Sequence, residues 1–357
     1  MKTGTADLPL HYGAAPSWLF QSMTKLAREI SIILITEQGV GDYLKKLADP
    51  NWFQAFGCLL GFDWHSSGLT TTTCGAIKEG LKPLQKDLGI FVCGGKGKTS
   101  RKTPREIENL SQKHSFNSRP LIYASKIAAK VDNNALQDSY QLYHHCFFFT
   151  SQGKWAVIQQ GMNPVNHWAR RYHWLSDQVK DFVNEPQAGI ACDHLAKTLN
   201  LIASESKSNR QITAHVSQQK PEKTVQTIKR LQALKLPPRH ALLVSDINPQ
   251  NLSKIFLSTY EKQPHDFEAL LGMKGVGPKT IRALSLISEL IYGAPASTED
   301  PARYAFAHGG KDGIPYPVDR QTYAQSIEFL KETVNKAKLG QNEKLAAFRR
   351  LQKLNSI

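Results

Sequence analysis

The stretch from His144 to Gly161 reads HHCFFFTSQGKWAVIQQG. Two runs rich in aromatic and β-branched residues, 144–150 and 155–160, flank a short segment around Gly153 that has the composition of a turn. This pattern predicts two antiparallel strands joined as a hairpin. Elsewhere the apolar residues recur mostly at helical spacing. The sequence therefore predicts a mainly α protein with a small β component, of the α+β class.

The residues before this strand pair carry signals of both helices and strands. Residues 16–88 show a helical period, and Asp49 followed by proline is typical of a helix start. The apolar run 89–93 predicts a short buried strand, and Thr103 to Glu106 has the pattern of a capping box at the start of another helix. We therefore expect the N-terminal part of the chain to be a mixed domain.

A polar segment divides the chain in two. Residues 203–223 contain almost no large apolar side chains, which is typical of a linker or an exposed connection. The sequence therefore predicts an N-terminal α+β domain over 1–204 and a C-terminal helical domain over 205–357. Within the second domain we expect a helix-hairpin-helix at 267–291.

The charge balance favours a polyanionic partner. The 357 residues include 45 lysines and arginines against 30 aspartates and glutamates, a net charge of +15, and the pI is near 9.5. Such an excess favours nucleic acid, because basic side chains neutralise its phosphates and release counterions. We expect DNA as the partner, with RNA as the alternative, and no cofactor.

The cysteines and the apolar segments bear on the cellular compartment. Five cysteines stand at wide spacings without a CxxC pair, which is typical of a reduced cytosolic protein and does not match zinc-finger spacings. The N-terminal residues lack the apolar core of a signal peptide, and the longest apolar stretch, 30–35, is too short to span a bilayer. The sequence therefore predicts a cytoplasmic protein without a membrane partner.

Residues 274–280 read KGVGPKT, which is the pattern of a helix-hairpin-helix turn. The two glycines allow the backbone to turn sharply and to approach a ligand closely. The free amides and the positive dipole end of the helix that follows then favour a phosphate group. The candidate DNA-binding residues of this turn are Lys274, Gly275, Gly277 and Thr280.

Residues 267–330 resemble the helix-hairpin-helix DNA glycosylase superfamily of the endonuclease III type. The hairpin is similar in its glycine-hydrophobic-glycine order and its lysine, and the segment 317–320 resembles the family's segment with an essential aspartate that opens a helix. The resemblance implies that Lys279 is the amine that displaces a damaged base and that Asp319 is its carboxylate partner. The two residues are 40 positions apart, which is more than is usual in the family.

Similar hairpins also occur in ligases, recombination proteins and excision-nuclease subunits, where the lysine only contacts phosphate. Two roles of Lys279 therefore stay open, catalytic amine and phosphate contact, and Asp319 is equally well explained as a helix N-cap. The expected function is that of a DNA-binding repair protein, either a glycosylase or glycosylase/lyase that excises a damaged base, or a structure-specific binding protein without catalysis.

Two further segments combine cations with glycines or aromatic residues. The run GGKGKTSRK at 94–102 is suited to bringing backbone amides close to phosphate, although its spacing does not match a P-loop. The stretch 168–174 alternates aromatic and basic residues, which suits either stacking on bases or packing in a core. The DNA-binding candidates in these segments are Lys96, Lys98, Arg101, Arg170 and Arg171.

Two loops, 61–73 and 307–313, carry titratable side chains among hydroxyl residues and glycines. Such groups support acid-base chemistry or metal binding, so a metal-dependent nuclease is the alternative function, while ordinary loops at helix ends explain them equally well. The site candidates in these loops are Asp63, His65, His308, Lys311 and Asp312. The neighbours His144 and His145 point to opposite faces of a strand, so we predict no metal ligands there.

Over nearly its full length the chain resembles an uncharacterised prokaryotic family, the domain of unknown function 763. The resemblance rests on blocks of sequence that are spread from the N-terminus to the second half of the chain. These blocks are residues 3–10, 61–73, 94–103, 155–162 and 275–319. The resemblance implies membership of a family but no activity.

Overall fold

The centre of the protein is an antiparallel sheet. The computed structural model describes residues 15–62, 66–192, 194–233, 247–304 and 320–355, and all their side chains except those of 320–327 and 352–355. The strands are β1 (Phe91–Lys96), β2 (Leu136–Gln137), β3 (Gln141–Phe149), β4 (Trp155–Met162), β5 (Ala169–Leu175), β6 (Gly189–Ala191) and β7 (Leu199–Asn200). Five of them form one sheet in the order β1-β3-β4-β5-β6, and β2 pairs with β7.

The strand pair that the sequence predicts is the middle of this sheet. Phe149 of β3 lies opposite Trp155 of β4, and the Thr150 amide donates to the Lys154 carbonyl at 2.8 Å to close the turn. Gly153 has a φ of +91°, which glycine adopts without steric cost. Because helices form most of the rest of the described chain, the predicted mainly α fold with a small β part is confirmed.

The helices lie before, within and after the sheet. Before and within it are α1 (Ser17–Gln38), α2 (Val40–Ala48), α3 (Pro50–Leu60), α4 (Gly68–Leu81), α5 (Gln85–Leu88), α6 (Thr103–His114) and α7 (Ser118–Lys130). After it come α8 (Lys207–Ser217), α9 (Pro221–Ala233), α10 (Pro249–Lys262), α11 (Phe267–Gly272), α12 (Pro278–Tyr292), α13 (Arg320–Lys336) and α14 (Gln341–Asn355). Of the described helices, none is long and apolar enough to cross a bilayer.

Two apolar cores cover the two faces of the sheet. The alternation along β3 shows this, because Phe147 and Phe149 belong to one core while Cys146 and Phe148 belong to the other. The Phe148 core also holds α1 to α4 and, through Leu330, the C-terminal helices. The Phe147 core holds α6, α7 and α8 to α12. Each core therefore combines residues from both sides of position 204, and the domain boundary there stays a prediction.

The segment 203–223 is not an exposed linker. It contains α8, and the side of this helix that faces α12 is buried although it is polar. Asn209 Nδ2 donates to the carbonyls of Ser285 at 3.1 Å and Ala294 at 2.7 Å, and Thr213 Oγ1 lies 3.1 Å from Ser288 Oγ. The prediction was wrong because hydrogen bonds, not apolar side chains, make burial of this face favourable.

Candidate functional site

A cleft of about 630 Å³ opens where the first residues of β3 meet α7 and the end of α11. Residues 94–102, which we call the basic loop, form another part of its wall. The residues that line it come from separate parts of the chain. They are Ser100, Arg101, Pro104, Tyr123, Ser125, Lys126, Ile127, Ala129, Lys130, Asn133, Asn134, Gln141, Leu142, His144, His145 and Gly272. Clefts of this volume with a few polar groups are the usual form of binding sites in proteins.

Two of the predicted sites meet at this cleft. Arg101 belongs to the basic loop and Gly272 to the predicted helix-hairpin-helix, and both residues line the cleft. Three cations, Arg101, Lys126 and Lys130, line the cleft, whereas none of the described residues that line it is acidic. The site therefore favours an anion.

The basic loop starts from a fixed glycine. Gly94 has a φ of +91°, and a Cβ at this position would lie only 2.1 Å from the carbonyl oxygen of His145. Glu106 Oε2 accepts from the Gly94 amide at 2.9 Å and from Lys78 Nζ at 2.7 Å. The helix α6 thus begins at Thr103, as predicted. The carboxylate of Glu106, however, accepts from the Gly94 amide of the basic loop instead of capping the first turn of α6. The loop residues Lys96, Lys98 and Arg101 are exposed.

The residues of the predicted hairpin form two helices, α11 and α12, joined by 273–277. Gly275 turns the chain with a φ of +89°. Lys130 Nζ donates to the carbonyls of Val276 at 2.6 Å and Met273 at 3.2 Å, and Gln137 Nε2 donates to the Pro278 carbonyl at 2.9 Å. These contacts hold the hairpin against α7 and β2, and Lys130 itself lines the cleft.

The hairpin residues differ in how far solvent reaches them. Lys274, Gly275 and Lys279 are exposed and Gly277 is partly buried. Thr280, in the first turn of α12, is only 1% exposed, so its side chain is buried. The side chains of Lys274 and Lys279 are thus accessible from solvent, while that of Thr280 is not.

The inner end of the cleft holds a chain of hydrogen bonds. Ser125 Oγ lies 2.9 Å from His145 Nε2, and His145 Nδ1 lies 2.8 Å from Gln159 Oε1. Gln159 Nε2 in turn donates to Asp132 Oδ2 at 2.5 Å and to the Ala128 carbonyl at 3.3 Å. This series of hydrogen bonds therefore connects a serine hydroxyl at the cleft to a buried carboxyl group.

This arrangement determines the tautomer of His145. The two acceptors around Gln159 Nε2 require the amide group of Gln159, so its Oε1 faces His145. Since Oε1 only accepts, His145 Nδ1 carries the proton and Nε2 accepts from Ser125. Burial lowers the pKa of His145 to about 4, so the ring is neutral at pH 7.

Asp132, the last group in this series of hydrogen bonds, is fully buried in a short π-helical segment after α7. Trp174 Nε1 donates to its Oδ2 at 2.8 Å and Gln187 Nε2 to its Oδ1 at 2.5 Å, in addition to Gln159. Burial raises the pKa of Asp132 to about 8, and the three donors oppose this rise. Such π-helical segments often mark functional sites.

His144 lines the same cleft and is 1% exposed. Neither of its ring nitrogens has a hydrogen-bond partner among the described residues. Burial lowers the pKa of His144 to about 3, and the charges of His145 and Lys96 act in the same direction. His144 lies opposite Gln160 and His145 lies opposite Gln159, so the two rings are on opposite faces of the sheet. A buried imidazole without hydrogen-bond partners costs free energy.

Arg170 and Arg171, predicted as DNA contacts, lie in the protein interior. The strand β5 that carries them is buried along its whole length. Arg170 is paired with Asp138 at 3.0 Å and Asp300 at 2.6 Å. Arg171 donates to His173 and other groups of the core. We therefore correct that prediction, because neither guanidinium reaches a phosphate from there; the stretch 168–174 packs in the core.

Several other predicted residues lie outside the described part of the chain. These residues are Asp63, His65, His308, Lys311, Asp312 and Asp319. The helix α13 begins at Arg320, directly after Asp319 in the sequence. Within the described ranges, the structure contains no group of three or more histidine, cysteine or acidic residues placed to hold a metal ion.

Sequence reasoning did not single out Ser125, Lys126, Lys130 or Asp132. One signal was present in the strand pair itself, where Gln159 and Gln160 are adjacent and both are buried. A central strand with buried glutamines requires polar partners on both faces of the sheet. The identity of those partners depends on the packing of α7, which the local sequence does not specify.

Comparison with known proteins places the chain in a family. The family model described as "Protein of unknown function (DUF763)" matches residues 4–318, most of the chain. No curated protein and no solved structure matches it. The match includes the basic loop, Ser125, the two histidines and the hairpin, which are the residues that build the cleft. The chain therefore belongs to the DUF763 family of proteins of unknown function.

Proposed function

We propose that this protein binds DNA across the cleft and the neighbouring hairpin, as part of DNA repair. The observation that carries the proposal is the meeting of the basic loop and the hairpin at one cleft lined by three cations and, among its described residues, no acid. Phosphate neutralisation supplies most of the sequence-independent affinity of proteins for DNA. The net charge of +15 supports the same partner.

Both sides of the cleft present exposed cations that can contact phosphates. Lys96, Lys98 and Arg101 are exposed along the loop, and Lys274 and Lys279 are exposed at the hairpin. The first amides of α12 have no acceptors within their own helix and add a partial positive charge beside the two lysines. A DNA backbone that runs from the basic loop to the hairpin therefore passes over the opening of the cleft.

Removal of Arg101 or Lys126 is expected to weaken DNA binding and its salt dependence. Each charge lost from a phosphate contact lowers the slope of log affinity against log salt by about 0.9. Fluorescence anisotropy with a labelled duplex at several salt concentrations measures both quantities for Arg101→Ala and Lys126→Ala.

The matched control is Lys336→Ala, which removes one charge from α13, a helix that packs on α1 and α3. It is expected to leave the salt slope as in the wild type. Equal slopes in all four proteins would show that DNA does not occupy the cleft.

Base excision through Lys279 and Asp319 is a second candidate. It is favoured by the exposed Lys279 in the first turn of α12 and by the start of α13 directly after Asp319. A lysine that attacks the sugar forms a Schiff base. Borohydride should therefore trap a covalent adduct with an abasic duplex.

The adduct is expected to disappear in Lys279→Ala and to remain in Lys274→Ala, which removes an exposed lysine from the same turn. Denaturing gel electrophoresis of the trapped complexes checks this. If wild-type protein binds the duplex but gives no adduct, Lys279 is a phosphate contact only.

A further inference from the structure

We propose that Ser125 is a nucleophile, activated by His145, that cleaves a phosphodiester bound in the cleft. The proposed site consists of residues on α7 and β3. The choice of DNA as the natural phosphodiester rests on the proposed function above. The nucleophilic serine itself does not.

The geometry is that of a serine and its general base. Ser125 Oγ and His145 Nε2 are 2.9 Å apart, which is within the range for proton transfer. The proton on Nδ1, imposed by Gln159, leaves Nε2 as the acceptor that the chemistry needs. Gln159 and Asp132 are positioning residues, because they orient the ring without lining the cleft.

The charge of the walls selects the substrate class. Arg101 and Lys126 are exposed cations at the cleft, and no ion pair joins either of them to another described residue. A neutral carboxylic ester makes no use of them, whereas the charged oxygens of a phosphodiester do. The cleft of about 630 Å³ accommodates a nucleotide-sized group.

The reaction balances without a further reactant except water. Ser125 Oγ forms a bond to phosphorus, its proton passes to His145 Nε2, and the bond from phosphorus to the leaving oxygen breaks. That oxygen takes the proton from His145 and departs as an alcohol. Water then attacks the phosphorus of the seryl phosphate while His145 Nε2 takes a proton from the water. The bond from phosphorus to Oγ breaks, Oγ takes that proton back from His145, and a phosphate monoester leaves.

Diisopropyl fluorophosphate tests the nucleophile directly. Ser125 Oγ would form a bond to its phosphorus, fluoride would leave, and the serine proton would pass to His145. Peptide mass spectrometry should locate the adduct on Ser125. We expect the adduct to be absent in Ser125→Ala and to form about 100-fold more slowly in His145→Gln.

Ser118→Ala is the matched control, because it removes another buried serine hydroxyl from the same helix. It is expected to react as the wild type does. Hydrolysis of bis(4-nitrophenyl) phosphate is expected to follow the same order among the four proteins. Folding is checked by circular dichroism, and DNA binding is measured on the same samples.

The outcomes separate the two proposals. Wild-type protein that is folded but unlabelled at Ser125, or that is labelled equally in His145→Gln, overturns the serine site whatever the DNA result. Labelling at Ser125 without DNA binding supports the serine site and overturns the proposed function. DNA binding that persists in Ser125→Ala with loss of labelling supports both.

Discussion

Replacing Arg170 by alanine is expected to lower the free energy of unfolding by about 3–5 kcal/mol. The guanidinium is completely buried, and it bridges Asp138 and Asp300, whose side chains are at most 4% exposed. The Tyr172 hydroxyl also donates to Asp138 Oδ2, at 2.6 Å. Without Arg170, two carboxyl groups stay buried without their cation, and that is the source of the large cost. Urea denaturation at pH 7 measures it.

An exposed ion pair provides the control for this variant. Lys154 and Asp177 are paired at 3.1 Å, with side chains that are 54% and 38% exposed. Because water screens such a pair, Lys154→Ala is expected to change the free energy of unfolding by less than about 1 kcal/mol. Similar costs for Arg170→Ala and Lys154→Ala would mean that the carboxyl groups of Asp138 and Asp300 do not depend on Arg170.

A steep loss of stability between pH 6.5 and 5 is the second large expected effect. Burial lowers the pKa of His144 to about 3 and that of His145 to about 4, and the pKa of His173 also lies well below its ordinary value. In the unfolded chain these rings take up protons below about pH 6.5, so the unfolded state binds more protons than the folded state. The free energy of unfolding therefore falls as the pH falls through this window.

Two buried carboxyl groups act in the opposite direction. Burial raises the pKa of Asp132 to about 8 and also raises that of Asp138, so the folded state retains protons that the unfolded state releases. Each contribution is present at low pH and is lost as the pH rises toward the folded pKa. The net slope is thus smaller than the three histidines alone would produce.

His144→Gln isolates one of these protons. His144 makes no side-chain hydrogen bond to another described residue, so the variant removes its titration without breaking such a bond. Below pH 6 the slope of the free energy of unfolding against pH is expected to fall by about 1.4 kcal/mol per pH unit. Urea denaturation at pH 5, 5.5, 6 and 7 checks this, with exposed His215→Gln as the control. A slope equal to that of the wild type would show that His144 is protonated in the folded protein.

Several elements of the fold follow from signals within a few residues. The strand pair of β3 and β4 follows from its apolar runs and its glycine turn. Asp49 caps α3 as expected, with its carboxylate accepting from the Asn51 amide at 2.8 Å. The start of α12 after Gly277 follows from the proline beside it. In each case the chemical cause lies in the segment itself, so the sequence specifies the result.

The failures share a different cause. The polar α8 is buried because Asn209 finds carbonyl acceptors about 80 positions away in sequence, at Ser285 and Ala294. Arg170 is buried because Asp138 and Asp300 accept from it. A polar side chain has no fixed preference for surface or interior until its partners are known, and these partners are distant in sequence.

The cleft shows the same division. Composition and local patterns are enough to predict a basic protein with a glycine-rich loop, a lysine-bearing turn between two helices and a central strand pair. The approach of Arg101 to Gly272 at one cleft, and of Ser125 to His145, appears only in the folded chain. The physical reason is that turns and helix starts depend on local backbone preferences, whereas a site depends on which surfaces pack together, and packing is a property of the whole chain.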